Sequence, residues 1–497
     1  MKTIHNVNKL LSPWIRHTPD KLFKNIISDS RKITYNDLFI AVKGNIVDGS
    51  MFISQAINKG ASIVLLETNK IKYHGLIQFN KKVPIIHFFN LSRCLPDISG
   101  RFYQNPGKKI TTVGVTGTNG KTTVTHLIAQ WAHLLGEKTA IIGTLGNGLY
   151  KALKKTPNTT DSAIVIQSLL HKFIQKKVNL VTIEVSSHGI QENRIKNIFF
   201  KIGILTNISQ DHLDYHKNIQ EYTKTKWNFF KKNKVYQKIL NNDDKTLNNN
   251  WYQKNKHEND ILINTQQNIN NHFSRKQIYA KKIIFDKNNT KIFFHSYWGN
   301  GVLISQLLGL FNVNNILLAF SSLLKLGYPM QDLVQKSHLL SPIPGRMHII
   351  NRVNQPIIII DFAHTPDALK KVLQTLRYYY YKKKIWCIFG CGGNKDVTKR
   401  SKMGIIAEQL SNQVIVTNDN PRNENPIKIA NDIVRYCTKN VKIIIERKEA
   451  ITYAIKLAKK NDIILIAGKG IENYQIIGNK FIQYSDINTV FKILNKK

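Results

Sequence analysis

Short β-branched apolar runs alternate along most of the chain with stretches in which apolar residues recur at helical spacing. Residues 61–66 (Ala-Ser-Ile-Val-Leu-Leu), 139–142, 181–185, 204–208 and 357–360 read as buried strands. Residues 51–59 read as a helix closed at Gly60, and 124–135 as a helix that follows a glycine-rich turn. Strands in turn with helices imply an α/β protein with mostly parallel sheets. Polar residues gather where these strands end: Glu184 to Ser186, Asp211 and His212, Asp361 and His364, the Gly-Gly-Asn-Lys loop at 392–395, Asp419 to Arg422, and Gly468 to Glu472. Open α/β sheets hold their ligands at such ends. Residues 233–290 are rich in Asn, Lys and Gln and read as edge strands and mobile loops without function.

The segment 114–123 reads Gly-Val-Thr-Gly-Thr-Asn-Gly-Lys-Thr-Thr, between a strand-like run and a helix. In that setting backbone N–H groups and a helix N-terminus face an anion, Lys121 adds a point charge, and the Thr122 or Thr123 hydroxyl can ligate Mg²⁺. Gly114 lies six residues before Gly120, one more than the usual phosphate loop. A nucleoside triphosphate is the expected ligand. Carboxylate and imidazole at Glu184 and His212 suit a divalent ion on phosphates, although a lone histidine there would more often cap a helix. Ser30 and the turn around Asn45 are polar groups at strand ends, which a plain turn would also explain.

The length of 497 residues predicts two to four domains, and 42% hydrophobic residues exclude a disordered chain. A formal charge of +42 suggests nucleic acid, yet the lysines are scattered beside Asn and Ile and form no basic stripe. That bias is what an AT-rich genome writes into any protein, and the field also suits anionic nucleotide substrates. Cys94, Cys387, Cys391 and Cys437 form no metal-ligand spacing and read as reduced, structural thiols. No signal peptide is read and 356–360 is too short to span a bilayer, so a soluble cytoplasmic protein is expected.

Thr-Gly-Thr-Asn-Gly-Lys-Thr-Thr, Glu-Val-Ser-Ser-His-Gly, Asn-Ile-Ser-Gln-Asp-His-Leu-Asp-Tyr-His and Asp-Phe-Ala-His-Thr-Pro-Asp-Ala-Leu together resemble the Mur ligases of peptidoglycan synthesis. Asp-Asn-Pro-Arg at 419–422 with Gly-Lys-Gly-Ile-Glu at 468–472 resembles the members that add diaminopimelate. The resemblance runs in order along essentially the whole chain. It implies three domains: a small N-terminal α/β domain for the UDP-sugar (1–108), a central P-loop-type ATPase domain on a mostly parallel sheet (109–340), and a C-terminal Rossmann-like α/β domain for the amino acid (341–497).

The implied enzyme is an ATP-dependent acid–amino-acid ligase. It would join meso-diaminopimelate to UDP-N-acetylmuramoyl-L-alanyl-D-glutamate through an acyl phosphate, as a monomer with no membrane insertion and no specific nucleic-acid partner. The same resemblance assigns ATP to Gly117, Thr118, Asn119, Gly120, Lys121, Thr122, Thr123, Asn312, Arg346, Asp361 and His364. Catalysis falls to Lys121, Glu184, His212 and Lys226, and Mg²⁺ to Thr122, Glu184, His212 and Lys226, the last as a carbamate formed with CO₂. The UDP-muramoyl dipeptide falls to Ser28, Ser30, Asn45, Ile46, Val47, Asn158, Thr159, Thr160, Ser186, Glu192 and Arg194. Diaminopimelate falls to Lys395, Asp419, Asn420, Pro421, Arg422, Gly468 and Glu472.

Two positions depart from the family pattern. Glu192 stands where glutamine is common, and Lys395 where an arginine would offer a bidentate fork. The alternatives are the same ligation with L-lysine, a folylpolyglutamate synthetase, a basic P-loop ATPase acting on nucleic acid, and a decayed relative that only binds. Arg422 disfavours lysine, which lacks the distal carboxylate that a guanidinium would grip.

Overall fold

Period-two alternation along Asp37–Ala41 sends Leu38 and Ile40 to one face and Phe39 and Ala41 to the other. Ala61–Thr68 and Val83–Phe89 likewise send apolar residues to both faces, because both faces of the sheet are covered. In this computed structural model the described residues are 5–44, 47–244, 246, 257–265, 276–286, 289–439 and 441–495; Asn45 and Ile46 lie outside them. The chain divides into two compact units. One holds residues 1–113, 138–201 and 228–236, and the other 114–137, 202–227 and 237–497.

In the first unit, Ile26–Ile27, Asp37–Ala41, Ala61–Thr68 and Val83–Phe89 are parallel neighbours, and Ile77–Asn80 closes the edge antiparallel. Helix Leu91–Phe102 seals one face with Leu95, Ile98 and Phe102. The expected helix at 51–59 begins as a 3₁₀ turn, Gly49–Phe52, and continues as Ile53–Asn58. Thr139–Gly143 and Leu180–Glu184 run parallel in the same unit, so Glu184 is the last residue of a buried strand.

In the second unit, helix Lys121–Leu134 is buried from Thr122 to Ala132 and packs on helix Leu310–Lys325, with Trp131 stacked on Phe320. Lys234–Asn241, Ile261–Asn264 and Gln277–Phe285 pair in parallel, and Thr290–Ser296 and Gly299–Ser305 continue antiparallel. These strands correct the reading of residues 233–290 as edges: Ile261–Asn264 and Gln277–Phe285 are paired on both sides. Residues 245, 247–256, 266–275 and 287–288 of that segment lie outside the described ones.

A six-stranded sheet follows, ordered His348–Ile350, Ile357–Asp361, Ile463–Ala467, Ile385–Phe389, Gln413–Val416, Lys442–Ile443. Every pair is parallel except the first. Ile358 and Ile360 face one core and Ile359 the other. The strand expected at 204–208 is Phe199–Leu205 instead. Thr206 and Asn207 leave the ladder because their side chains turn to the glycine loop: Thr206 Oγ1 and Asn207 Nδ2 both donate to the Asn119 carbonyl, at 2.6 and 2.9 Å.

Candidate active site

The glycine loop is shaped by close approach of neighbouring chain to its backbone. Gly117 has φ +143° and Gly120 +86°, values that disfavour any side chain. A Cβ on Gly117 would overlap the Thr206 hydroxyl, and one on Gly120 would lie 2.6 Å from Asn315 Oδ1. The Thr118 amide donates to the Asn207 carbonyl at 2.7 Å, and the Thr118 hydroxyl accepts from the Ser209 amide at 2.9 Å. Lys121 Nζ curls back onto the carbonyls of Gly117 and Thr118, at 2.9 and 2.8 Å.

Lys226, on helix Ile219–Lys232, donates to the same Gly117 carbonyl at 2.7 Å and lies 4.5 Å from the Tyr222 ring centroid. It is buried. Burial first, and the nearby Lys121 charge second, push its ammonium well below the ordinary lysine range against the pull of Asp211. That direction favours the neutral, nucleophilic amine.

Asn119, Gly120, Thr123, Asn312, Arg346 and Asp361 line one cavity of about 540 Å³. Arg346 Nη2 donates to Thr122 Oγ1 at 3.0 Å and its guanidinium lies over Phe362, 4.3 Å from the centroid. Asp361 accepts from the amides of Met347 and Ala363, both at 2.7 Å. Its burial raises the carboxyl above its ordinary value despite Arg346.

His364 and His212 face a shared carboxylate. Their Nε2 atoms lie 3.6 and 3.3 Å from Asp211 Oδ2. Burial alone would raise Asp211, but His364, His212 and Lys399 outweigh it and hold the carboxyl well below the usual range. The cavity also has residues that sequence reasoning passed over. Asp243, Asp244, Thr265 and Asn314 line it. Asp243 Oδ2 accepts from the Thr265 amide and hydroxyl at 2.8 and 2.6 Å and from Asn314 Nδ2 at 3.1 Å. The signal was present, since Asn-Asn-Asp-Asp at 241–244 is a polar strand end.

In the first unit a second group of expected residues comes together. Thr160 Oγ1 donates to the Glu184 carbonyl at 2.7 Å and accepts from the Ser186 amide at 3.0 Å. Arg194 Nη1 donates to the Thr160 carbonyl at 2.6 Å. Glu192 Oε2 accepts hydrogen bonds from Arg194 Nε and Nη2 at 2.9 and 2.7 Å, so its charge faces that guanidinium. Thr159 meets Thr144, which donates from its amide and hydroxyl to the two Glu184 oxygens at 2.8 and 3.1 Å. Asn158 donates to Asp161 at 3.4 Å. Ser30 is buried against Gln55 at 2.6 Å, while Ser28 and Val47 are exposed.

At the C-terminal ends of the six-stranded sheet, Asp419, Asn420 and Glu472 are bridged by Lys469. Arg422 is a non-glycine residue at φ +50°, held by its amide on the Ile476 carbonyl and by its own carbonyl under the Gly478 amide. Its Nη1 donates to the Gly393 carbonyl at 3.0 Å. Pro421 and Gly468 shape the two loops, and Gly468 borders Asp419. Lys395 is placed against Asp214, 3.1 Å from its Oδ2.

Comparison with known proteins places these features. The profile of the Mur ligase family catalytic domain matches residues 23–103, that of the Mur ligase middle domain 115–323, and that of the Mur ligase glutamate ligase domain 345–470. A UDP-N-acetylmuramoyl-L-alanyl-D-glutamate–2,6-diaminopimelate ligase from Buchnera aphidicola subsp. Schizaphis graminum is 51% identical over 99% of both chains. The enzyme of that name from Haemophilus influenzae is 43% identical over 93% of this chain and 94% of its own. A solved structure under the same name superposes with a TM-score of 0.66 at 29% identity, over 99% of each chain.

Proposed function

The chain belongs to the Mur ligase family, and from that premise we infer that it is an ATP-dependent ligase joining diaminopimelate to UDP-N-acetylmuramoyl-L-alanyl-D-glutamate in peptidoglycan synthesis. The observation that carries the nucleotide half of this reading is the cavity running from the glycine loop to Arg346 and Asp361. The three segments 1–108, 109–340 and 341–497 are proposed as its UDP-sugar, ATP and amino-acid domains.

The dipeptide carboxylate attacks the γ-phosphorus, ADP departs and an acyl phosphate forms. The diaminopimelate amine then attacks the acyl carbon and phosphate leaves. Loop amides and Lys121 bind the triphosphate. Lys121 exchanges two carbonyl partners for phosphate oxygens as it does so, a stronger charge-assisted contact. Arg346, already at the Thr122 hydroxyl, brings a second cation to the same charge. Thr160, Ser186 and Arg194 form the dipeptide end. Arg422 would grip the distal carboxylate of diaminopimelate, and Asp419 and Glu472 its ammonium.

Mg²⁺, when bound, neutralises phosphate charge. The hydroxyl of Thr122 and the buried carboxylate of Glu184 are the hard oxygen donors that would hold it, with the imidazole of His212 as a softer nitrogen donor. Burial, which favours the uncharged amine of Lys226, fits carbamate formation, which would turn it into a further anionic ligand; an intact-mass gain of one CO₂ that Lys226→Ala abolishes is the expected sign. Among the described residues no helix is long and apolar enough to cross a membrane, and a monomer in the cytoplasm is the proposed state. Purified protein with ATP, Mg²⁺ and the UDP-muramoyl dipeptide should release phosphate on addition of diaminopimelate. No release would refute the reading.

A further inference from the structure

The loops at 419–422 and 468–472 leave strands that do not touch. Gln413–Val416 and Ile463–Ala467 both pair with Ile385–Phe389, which lies between them. Sheet hydrogen bonding therefore does not set the loop-to-loop distance directly. Two fully buried cations span it. Lys469 Nζ lies 3.2 Å from Asp419 Oδ1, 3.1 Å from Asn420 Oδ1 and 3.2 Å from Glu472 Oε2. Arg447 makes a bidentate pair with buried Asp486, both contacts at 2.8 Å. Its remaining donors reach the Ala467 carbonyl at 2.9 Å and the Asn418 carbonyl at 3.4 Å, the residues just before each loop.

We propose that Lys469, backed by Arg447, is the positioning residue of the amino-acid site: its ammonium holds Asp419 and Glu472 together, at the separation that receives the substrate ammonium. The proposal rests on the amino-acid site inferred above. Two cations against the three carboxylates Asp419, Glu472 and Asp486 leave one negative charge. Glu472 is the most exposed of the three, so that charge is presented at the crevice.

Without Lys469, two carboxylates would share a buried space with no cation between them. Glu472 faces Lys469, Asp419, Asn420 and Tyr474. Asp419 also faces Arg447, His364 and Cys391. Arg422 lies beyond Tyr474, and Tyr484 beside Arg447. Burial would raise Asp419, but Lys469 and Arg447 hold it below the ordinary range. Burial already lifts Glu472 above its ordinary value against the pull of Lys469. Removing that pull would favour its protonated form further.

The test is steady-state kinetics of the full-length enzyme, with diaminopimelate, ATP and UDP-muramoyl dipeptide varied in turn, for Lys469→Met and for Lys469→Gln. The glutamine variant keeps polar contacts should the methionine variant not fold. The expected result is a rise of about tenfold or more in KM for diaminopimelate, with KM for the other two substrates within about twofold. That KM should also rise more steeply with falling pH in the variants than in the wild type, because the carboxylate left without its cation takes up a proton more readily. Equal losses for all three substrates, or a pH-independent loss, would show a merely structural lysine and overturn the proposal. Arg422→Ala serves as the reference: if it leaves KM for diaminopimelate unchanged, the site reading itself fails. If Arg422→Ala matters and Lys469 does not, only the positioning role falls.

Discussion

The glycine loop and the crevice proposed for the amino acid both lie in one unit, yet they are held by different means. Around the loop most contacts are carbonyls, amides and hydroxyls pressed together through glycines, and the cations that reach it, Lys121, Lys226 and Arg346, rest there on neutral oxygens. Around the crevice, buried ions hold the backbone, with Arg447 on Asp486 and Lys469 among Asp419, Asn420 and Glu472. A loop that must close on any triphosphate needs room for its backbone. A crevice that must tell one amino acid from another needs charges at set distances. The first should therefore fail on added volume and the second on removed charge.

The largest effect is expected on the loop. Gly117→Ala puts a methyl into the Thr206 hydroxyl at a backbone angle of +143°. It should lower kcat/KM for ATP by on the order of 10³-fold, the scale seen when transition-state donors are misplaced. Isothermal titration with a non-hydrolysable ATP analogue would show whether binding is lost with it. A mild defect would mean that the loop is looser than its contacts imply.

On the crevice side, Asp486→Asn leaves Arg447 buried beside a neutral partner and should destabilise the protein by about 3–5 kcal/mol, read by chemical denaturation. A change below about 1 kcal/mol would show that solvent reaches the pair. Acid distinguishes the regions too. His126, in the helix after the loop, is kept neutral by burial and by Arg346, which together lower its pKa to about 4. The unfolded chain takes up that proton near pH 6.5, so this stability is complete above 6.5 and is lost as pH falls towards 4. The loss is about 3 kcal/mol, and His126→Met should flatten the profile over that window. The smallest effect is expected from Arg422→Lys, which keeps charge but loses the fork. It should cost about 10–100-fold in kcat/KM for diaminopimelate, the worth of one charge-assisted hydrogen bond, and leave KM for ATP unchanged.

The same contrast explains what the sequence could and could not reveal. Glycine spacing after a β-branched run exposes a phosphate loop, and polar residues at strand ends expose Asp361, Asp419 and Glu472, because backbone needs are written locally. The strand at 204–208 was misplaced because Thr206 and Asn207 follow the β pattern but turn their side chains to the Asn119 carbonyl. Asp243 and Thr265 were hidden inside an Asn- and Lys-rich composition that mimics a surface loop. Lys469 and Arg447 were invisible for another reason. Gly468 to Glu472 is legible as a polar strand end, but charge alone does not tell a solvated cation from a buried one, and only the packing shows that Lys469 and Arg447 are buried.

The central claim is that this chain activates a carboxylate with ATP and completes an amide with diaminopimelate at Arg422. The most direct measurement is product formation by mass spectrometry from ATP and UDP-N-acetylmuramoyl-L-alanyl-D-glutamate, with diaminopimelate and L-lysine competing. The account predicts the diaminopimelate tripeptide, favoured in kcat/KM by on the order of 10²-fold or more, because lysine leaves the guanidinium without its carboxylate. Equal incorporation of lysine, or ATP consumption without either amide, would contradict it.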